Sequence, residues 1–167
     1  TVGSIHGGTK HNIIPDDVKL QITVRSYSDE VRKQLLDAIK RIARGQAIAA
    51  GLPDDRLPIV EINNDYTPAM YNDPQLTARL VGVFKSVFGE TNVVAELPSM
   101  GGEDFAEYGR TAEKIPICMF DVGGVKREAF AESKRTGSAL PSLHSSLWAV
   151  DPEPTIKAGV VATTAAV

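Results

Sequence analysis

Residues 18–25, VKLQITVR, alternate apolar and polar without a break. Val18, Leu20, Ile22 and Val24 fall on one face, and Lys19, Gln21, Thr23 and Arg25 on the other. A period of two is the signature of a strand with one covered face. A slip of one residue would turn the whole apolar set to water, so the pattern fixes the register as well as the element. Just beyond, the period changes. Ser28 precedes Asp29 and Glu30, an N-cap with acidic residues in the first helical turn. Val31, Leu35, Ile39, Ile42 and Ala43 then recur at helical spacing, and Gly51 and Pro53 end the run. With a strand expected over 1–5, a loop over 6–17, a strand over 18–26, a helix over 29–50 and a strand over 57–65, the first part reads β-β-α-β. That is most of a ferredoxin-like, split βαβ sandwich without its first helix.

The two prolines and the Asn-Asp pair of YTPAMYNDP (66–74) mark a linker. Asp73 and Pro74 open a helix in which Leu76, Leu80, Phe84, Val87 and Phe88 line one side and Gly89 is the stop. A strand is expected over 92–97, a glycine-rich loop into a short helix over 98–109, and a strand and turn over 115–124. Residues 125–142 show little apolar periodicity and read as a long loop. Asp151 and Pro152 begin a last helix. Alternation of α and β favours a parallel or mixed sheet covered by helices. The fold class is therefore α/β, divided into residues 1–67 (an α+β portion) and 70–167 (part of an α/β domain), with a hinge near Thr67-Pro68.

Composition narrows the functional classes. A formal net charge of −3 leaves no basic stripe for nucleic acid. No apolar run is long enough to span a bilayer. The single cysteine, Cys118, excludes an internal disulfide and fits a reducing, cytoplasmic setting. It lies in IPICMFDV with no His or Lys beside it, which reads as a packed thiol rather than a nucleophile. The chain opens without a Met and closes inside a helical pattern, and so reads as a fragment of a longer polypeptide.

Each candidate for chemistry has a bland reading beside it. His144, in LPSLHSSLW, is a surface loop residue or a metal ligand, and no HExxH or CxxC accompanies it. A metal centre needs at least three protein ligands, so its partners would lie elsewhere. In SMGGEDF (99–105), Gly101 and Gly102 precede two carboxylates. This is either a tight turn into a helix or a loop whose backbone approaches a ligand. Asn12 in a loop and Arg25 on a strand's polar face are either solvated or convergent on a substrate carboxylate. His6 and His11 read as surface loop residues.

Three blocks, GGTKHNIIPDDVKLQITVRS, SMGGEDFAEYG and LPSLHSSLWAVDPEP, come in that order along the chain. As a set they resemble the C-terminal part of the di-metal amidohydrolase and metallopeptidase family of hippurate hydrolases, N-acyl-amino-acid hydrolases and auxin-conjugate hydrolases. GGEDFAEY is most similar to the hippurate hydrolase branch. The resemblance implies that residues 1–67 are the second part of a lid that dimerises, and that 70–167 are the returning part of a catalytic domain. It implies that His144 is a metal ligand, that Asn12 and Arg25 reach from the lid into the partner subunit's site toward the substrate's carboxylate side, and that Gly101 and Gly102 line the substrate pocket. It further implies two divalent metals (zinc, manganese or cobalt) and a metal-bridging hydroxide attacking the amide of an N-acyl amino acid or small peptide. Partners would be that substrate and a second copy of the chain, with no nucleic acid and no membrane. The general base, the other metal ligands and the lid histidine of the family have no counterpart among these residues. A non-catalytic dimerisation or small-ligand-binding module is the alternative.

The chain alone is expected to lack hydrolase activity. Hippurate and related N-acyl amino acids, offered with zinc, manganese or cobalt, should not turn over. Metal-dependent turnover above that of a His144→Ala control would contradict this.

Overall fold

A computed structural model describes residues 1–167. The chain divides into two compact units, Thr1–Tyr71 with Leu97–Ile115, and Asn72–Glu96 with Pro116–Val167. The division differs from the one read along the sequence in that 97–115 joins the first unit.

In the first unit β1 (Val2–Gly7) and β2 (Val18–Ile22) form a two-stranded antiparallel sheet. Ser4 pairs with Gln21, Ile5 with Leu20, His6 with Lys19 and Gly7 with Val18, and the register shifts between Val2 and Ser4. The ladder is extended by the bond from the Thr23 amide to the Thr1 carbonyl, 2.9 Å. His6 is therefore a strand residue, not a loop residue. A Cβ on Gly7 would come within 2.9 Å of a Val18 methyl, and Gly8 has φ +79°. Both close the strand into the 8–17 loop at positions that favour glycine.

Helix α1 (Asp29–Ala49) begins where the sequence places it, and the Val31 amide donates to the Ser28 hydroxyl at 3.2 Å. Its covered face runs through Leu36, Ile39, Ala43 and buried Ala47. Val31, Leu35 and Ile42 are exposed, as are Val18, Leu20 and Ile22 of β2. The apolar face that the strand pattern predicts is real but lies uncovered in this chain.

The second unit is built on α2 (Pro74–Phe88) and α5 (Pro152–Ala166). Asp73 caps α2 by accepting from the Leu76 amide at 2.8 Å, with Pro74 at the first position. Leu80, Phe84 and Ala162 are buried together. Phe120 meets Phe84 edge-on at 4.8 Å between ring centroids. Cys118 packs against the same cluster, with the Thr77 hydroxyl 3.5 Å from its sulfur, as a structural thiol does. The Asn72 amide donates to the Met119 carbonyl at 2.8 Å and accepts from the Met119 amide at 2.7 Å, while the Asp73 amide donates to the Ile117 carbonyl at 2.8 Å. α3 (Ala106–Gly109) is the short helix after the glycine-rich loop and belongs to the first unit.

Two sequence expectations change. Residues 57–65, 92–97 and 115–124 form no strands. A strand persists only through ladder bonds to a neighbour, and these segments find no ladder within the chain. Ile59, Val94 and Leu97 are 88%, 74% and 89% exposed, so a face suited to a sheet stands bare. Conversely, the expected loop 125–142 contains α4 (Arg127–Thr136), closed by Gly137 at φ +75°. α4 buries no residue. It is held by end effects and by the Glu132–Arg135 ion pair, with Glu128 in the first turn and Lys134 and Arg135 in the last.

Leu80→Ala should lower the unfolding free energy by about 2–4 kcal/mol, the usual cost of truncating a buried leucine. Urea denaturation monitored by circular dichroism would check it. A change below about 1 kcal/mol would mean that the α2–α5 contact is not the second unit's core.

Candidate functional site

The glycine-rich loop is held by the connection between β2 and α1. Arg25, three residues past the end of β2, donates from Nη1 to the Met100 carbonyl at 3.1 Å. The Tyr27 hydroxyl donates to the Pro98 carbonyl at 3.2 Å. Asp29, the first residue of α1, accepts from Arg110 Nη2 at 2.7 Å, and this hydrogen bond pushes the Arg110 pKa further above its ordinary value. From the other side the Glu103 amide donates to the Pro68 carbonyl at 3.2 Å, and Ala69 and Gly102 form an antiparallel bridge. A Cβ on Gly102 would lie 3.0 Å from the Thr67 carbonyl oxygen, so the close approach at this glycine is to Thr67. Gly101 has more room, with Ser99 Oγ the nearest atom at 3.6 Å from such a Cβ.

Arg25 and the Gly101-Gly102 segment, which is bridged to Ala69 rather than turned, are thus neighbours. The guanidinium is exposed, and with one of its five N–H donors on Met100 it keeps donors for a carboxylate. Asn12 lies elsewhere. It sits in the turn that joins β1 to β2, beyond Val18, whereas Arg25 follows the opposite end of β2. Five residue steps lead from Val18 to Thr23, about 17 Å at the rise of an antiparallel strand. β2 thus lies between the loop that carries Asn12 and the segment that carries Arg25.

His144 belongs to the second unit. The Ser145 amide donates to the Ser142 carbonyl at 3.1 Å, and His144 occupies the turn between them at φ +69°. A non-glycine residue in this region is uncommon, and such strain tends to gather at functional positions. The imidazole is exposed. The next turn follows at once, the Trp148 amide donating to the Ser145 carbonyl at 3.0 Å. No group of three or more His, Cys, Asp or Glu side chains in the chain is placed to hold a metal ion. His144 would be a single ligand, and a two-metal centre does not close on these residues alone. No helix is long and apolar enough to cross a membrane.

Residues 1–51 match the family model described as a peptidase dimerisation domain. Across 97% of its length the chain is 31% identical to thermostable carboxypeptidase 1 of Saccharolobus solfataricus. Across 74% it is 32% identical to N-acetyldiaminopimelate deacetylase of Streptococcus thermophilus. The fold matches the crystal structure of the Bacillus subtilis YXEP protein, described as a dinuclear metal binding peptidase from the M20 family. That match has a TM-score of 0.63 at 24% identity and covers 99% of this chain and 40% of the other. The chain is thus similar to the M20 peptidase family, through its dimerisation-domain match over residues 1–51 and through these relatives. It spans about a third of the length of the curated relatives it matches, 36% of the carboxypeptidase and 30% of the deacetylase. The M20 likeness agrees with the α/β class read from the sequence and with the blocks that carried the resemblance.

The strap on the glycine-rich loop escaped the sequence reading. Tyr27 and Pro98 are 71 residues apart, and Asp29 and Arg110 are 81 apart. No local pattern announces such pairs.

His144→Gly should be more stable than His144→Ala by about 1 kcal/mol, because glycine takes a positive φ without steric cost. Chemical denaturation of the two variants would check it. If alanine proved the more stable, the turn would not have the conformation described.

Proposed function

We propose that this chain is part of a metal-dependent amidohydrolase acting on the amide bond of an N-acyl amino acid or small peptide. The single observation that carries the reading is the exposed Arg25 guanidinium held beside the Gly101-Gly102 segment. The likeness to a carboxypeptidase and to an N-acyl deacetylase supports it. Both names describe hydrolysis of an amide next to an amino-acid portion, and such substrates present a carboxylate that a planar guanidinium can grip through paired donors.

Arg25 binds and orients that carboxylate while its Met100 bond fixes the side chain. Gly101 and Gly102 line the pocket: at Gly101 the absence of a side chain lets substrate approach the backbone, while Gly102 seats the loop against Thr67. His144 supplies one imidazole to a centre of two divalent ions, of which zinc, manganese and cobalt are the candidates, with the remaining ligands outside these residues. The description of the YXEP protein as dinuclear supports two ions rather than one. The preference for hippurate-like substrates rests on the GGEDFAEY block.

A homodimer completes the reading. The dimerisation-domain match over 1–51 supports it, as does the bare apolar face of Val18, Leu20 and Ile22. Asn12 and Arg25 flank β2 at its two ends, so the dimer, which brings a second copy of each, is where both can act on one substrate carboxylate.

Arg25→Lys in the whole dimeric enzyme should cost about 1.5–3 kcal/mol in kcat/KM on an acid substrate, the range for a charged hydrogen bond. The loss should shrink when the carboxylate is replaced by a neutral amide. Steady-state kinetics of both proteins on both substrates check it. Equal kcat/KM for wild type and Arg25→Lys on the acid substrate would end the carboxylate role.

A further inference from the structure

The contacts from the β2–α1 connection to the glycine-rich loop differ in kind. Asp29 and Arg110 form an ion pair at the far end of the loop, and Arg25 has a proposed substrate role. Tyr27 has neither. Its hydroxyl makes one hydrogen bond, to the Pro98 carbonyl, two residues before Met100 and three before Gly101. Proline has no amide proton, so the carbonyl is the one backbone group through which Pro98 can be anchored by a hydrogen bond. On its other edge the loop is pinned through Gly102 and Glu103 to Thr67, Pro68 and Ala69. Residues 98–101 thus depend on Tyr27 and Arg25 for their position. Arg25 divides its donors between Met100 and the substrate, so the Tyr27 bond is the hold on the start of the loop that substrate does not share.

We propose that Tyr27 is a positioning residue: its hydroxyl fastens Pro98 and so keeps the Gly101-Gly102 segment in its substrate-receiving pose. Its effect on catalysis rests on the amidohydrolase reading, whereas its hold on the loop does not. The loop meets bound substrate before and during reaction alike, so losing its pose weakens binding in both states and falls on KM rather than kcat.

The test is Tyr27→Phe in the whole dimeric enzyme. The substitution keeps the ring and removes only the hydroxyl. Two measurements are made: hydrogen–deuterium exchange of peptides covering 97–105, and kcat and KM on N-acyl amino acids. Expected are faster exchange confined to 97–105 and a KM raised roughly three- to five-fold with kcat within about twofold, the scale of one neutral hydrogen bond. Unchanged exchange over 97–105 would overturn the hold on the loop. Faster exchange with unchanged KM would overturn the positioning role. Exchange that rises throughout the first unit would also overturn it, since Tyr27 would then serve general stability. If wild type turns over no N-acyl amino acid or peptide, the amidohydrolase reading fails, and the exchange data alone decide the hold on the loop.

Discussion

A strand exists only against a neighbour, and that constraint shapes this chain. The backbone amide and carbonyl of an extended segment must find partners, and each one buried without a partner costs about 1–3 kcal/mol. One pair of segments meets the requirement, β1 with β2, which are joined by a short loop and need little loop-closure entropy to find each other. Residues 57–65, 92–97 and 115–124 have strand composition but no ladder. The helices stand on their own internal bonds, and so they carry both units: α1 in the first, α2 and α5 in the second.

The same distinction explains what the sequence reveals. The starts of α1, α2 and α5 were legible because a helix start is a local event. Ser28 and Asp73 cap with their own side chains, and Asp151-Pro152 marks the last helix. Strand pairing is non-local, so alternation in 18–25 identifies a strand's faces without saying what covers them. Apolar periodicity misses α4 because the helix buries nothing and its one large apolar residue, Phe130, is exposed. Its signal was present in other terms: Lys134 and Arg135 followed by Gly137 form a recognisable helix end. Hydrophobic periodicity is the wrong probe for a helix held by its charges.

At the candidate site, residue types were legible and distances were not. Arg25 and the Gly101-Gly102 pair stand out separately in the sequence, and the fold brings them together through the bond from Arg25 to Met100, 75 residues on. Asn12 and Arg25 stand only 13 residues apart in sequence, yet β2 lies between them. His144 was chosen for its chemistry. Its left-handed backbone is a separate sign that the turn is built around a particular side chain, since a glycine would sit there with less strain. The second unit packs its cysteine against the Leu80–Phe84 cluster, in keeping with the lack of a nearby activating group in the sequence.

The doubled hydrogen bond between Asn72 and Met119 has a directional consequence. A side-chain amide that both gives to and takes from one residue imitates a neighbouring strand, and the Asp73 amide continues the imitation at Ile117. In an extended chain successive residues turn their amide and carbonyl groups to opposite edges. The edge shared by Ile117 and Met119 is therefore occupied, and the open edge is the one presented by Cys118 and Phe120. A sheet that recruits this segment can grow in one direction only, and the asparagine serves as its terminus.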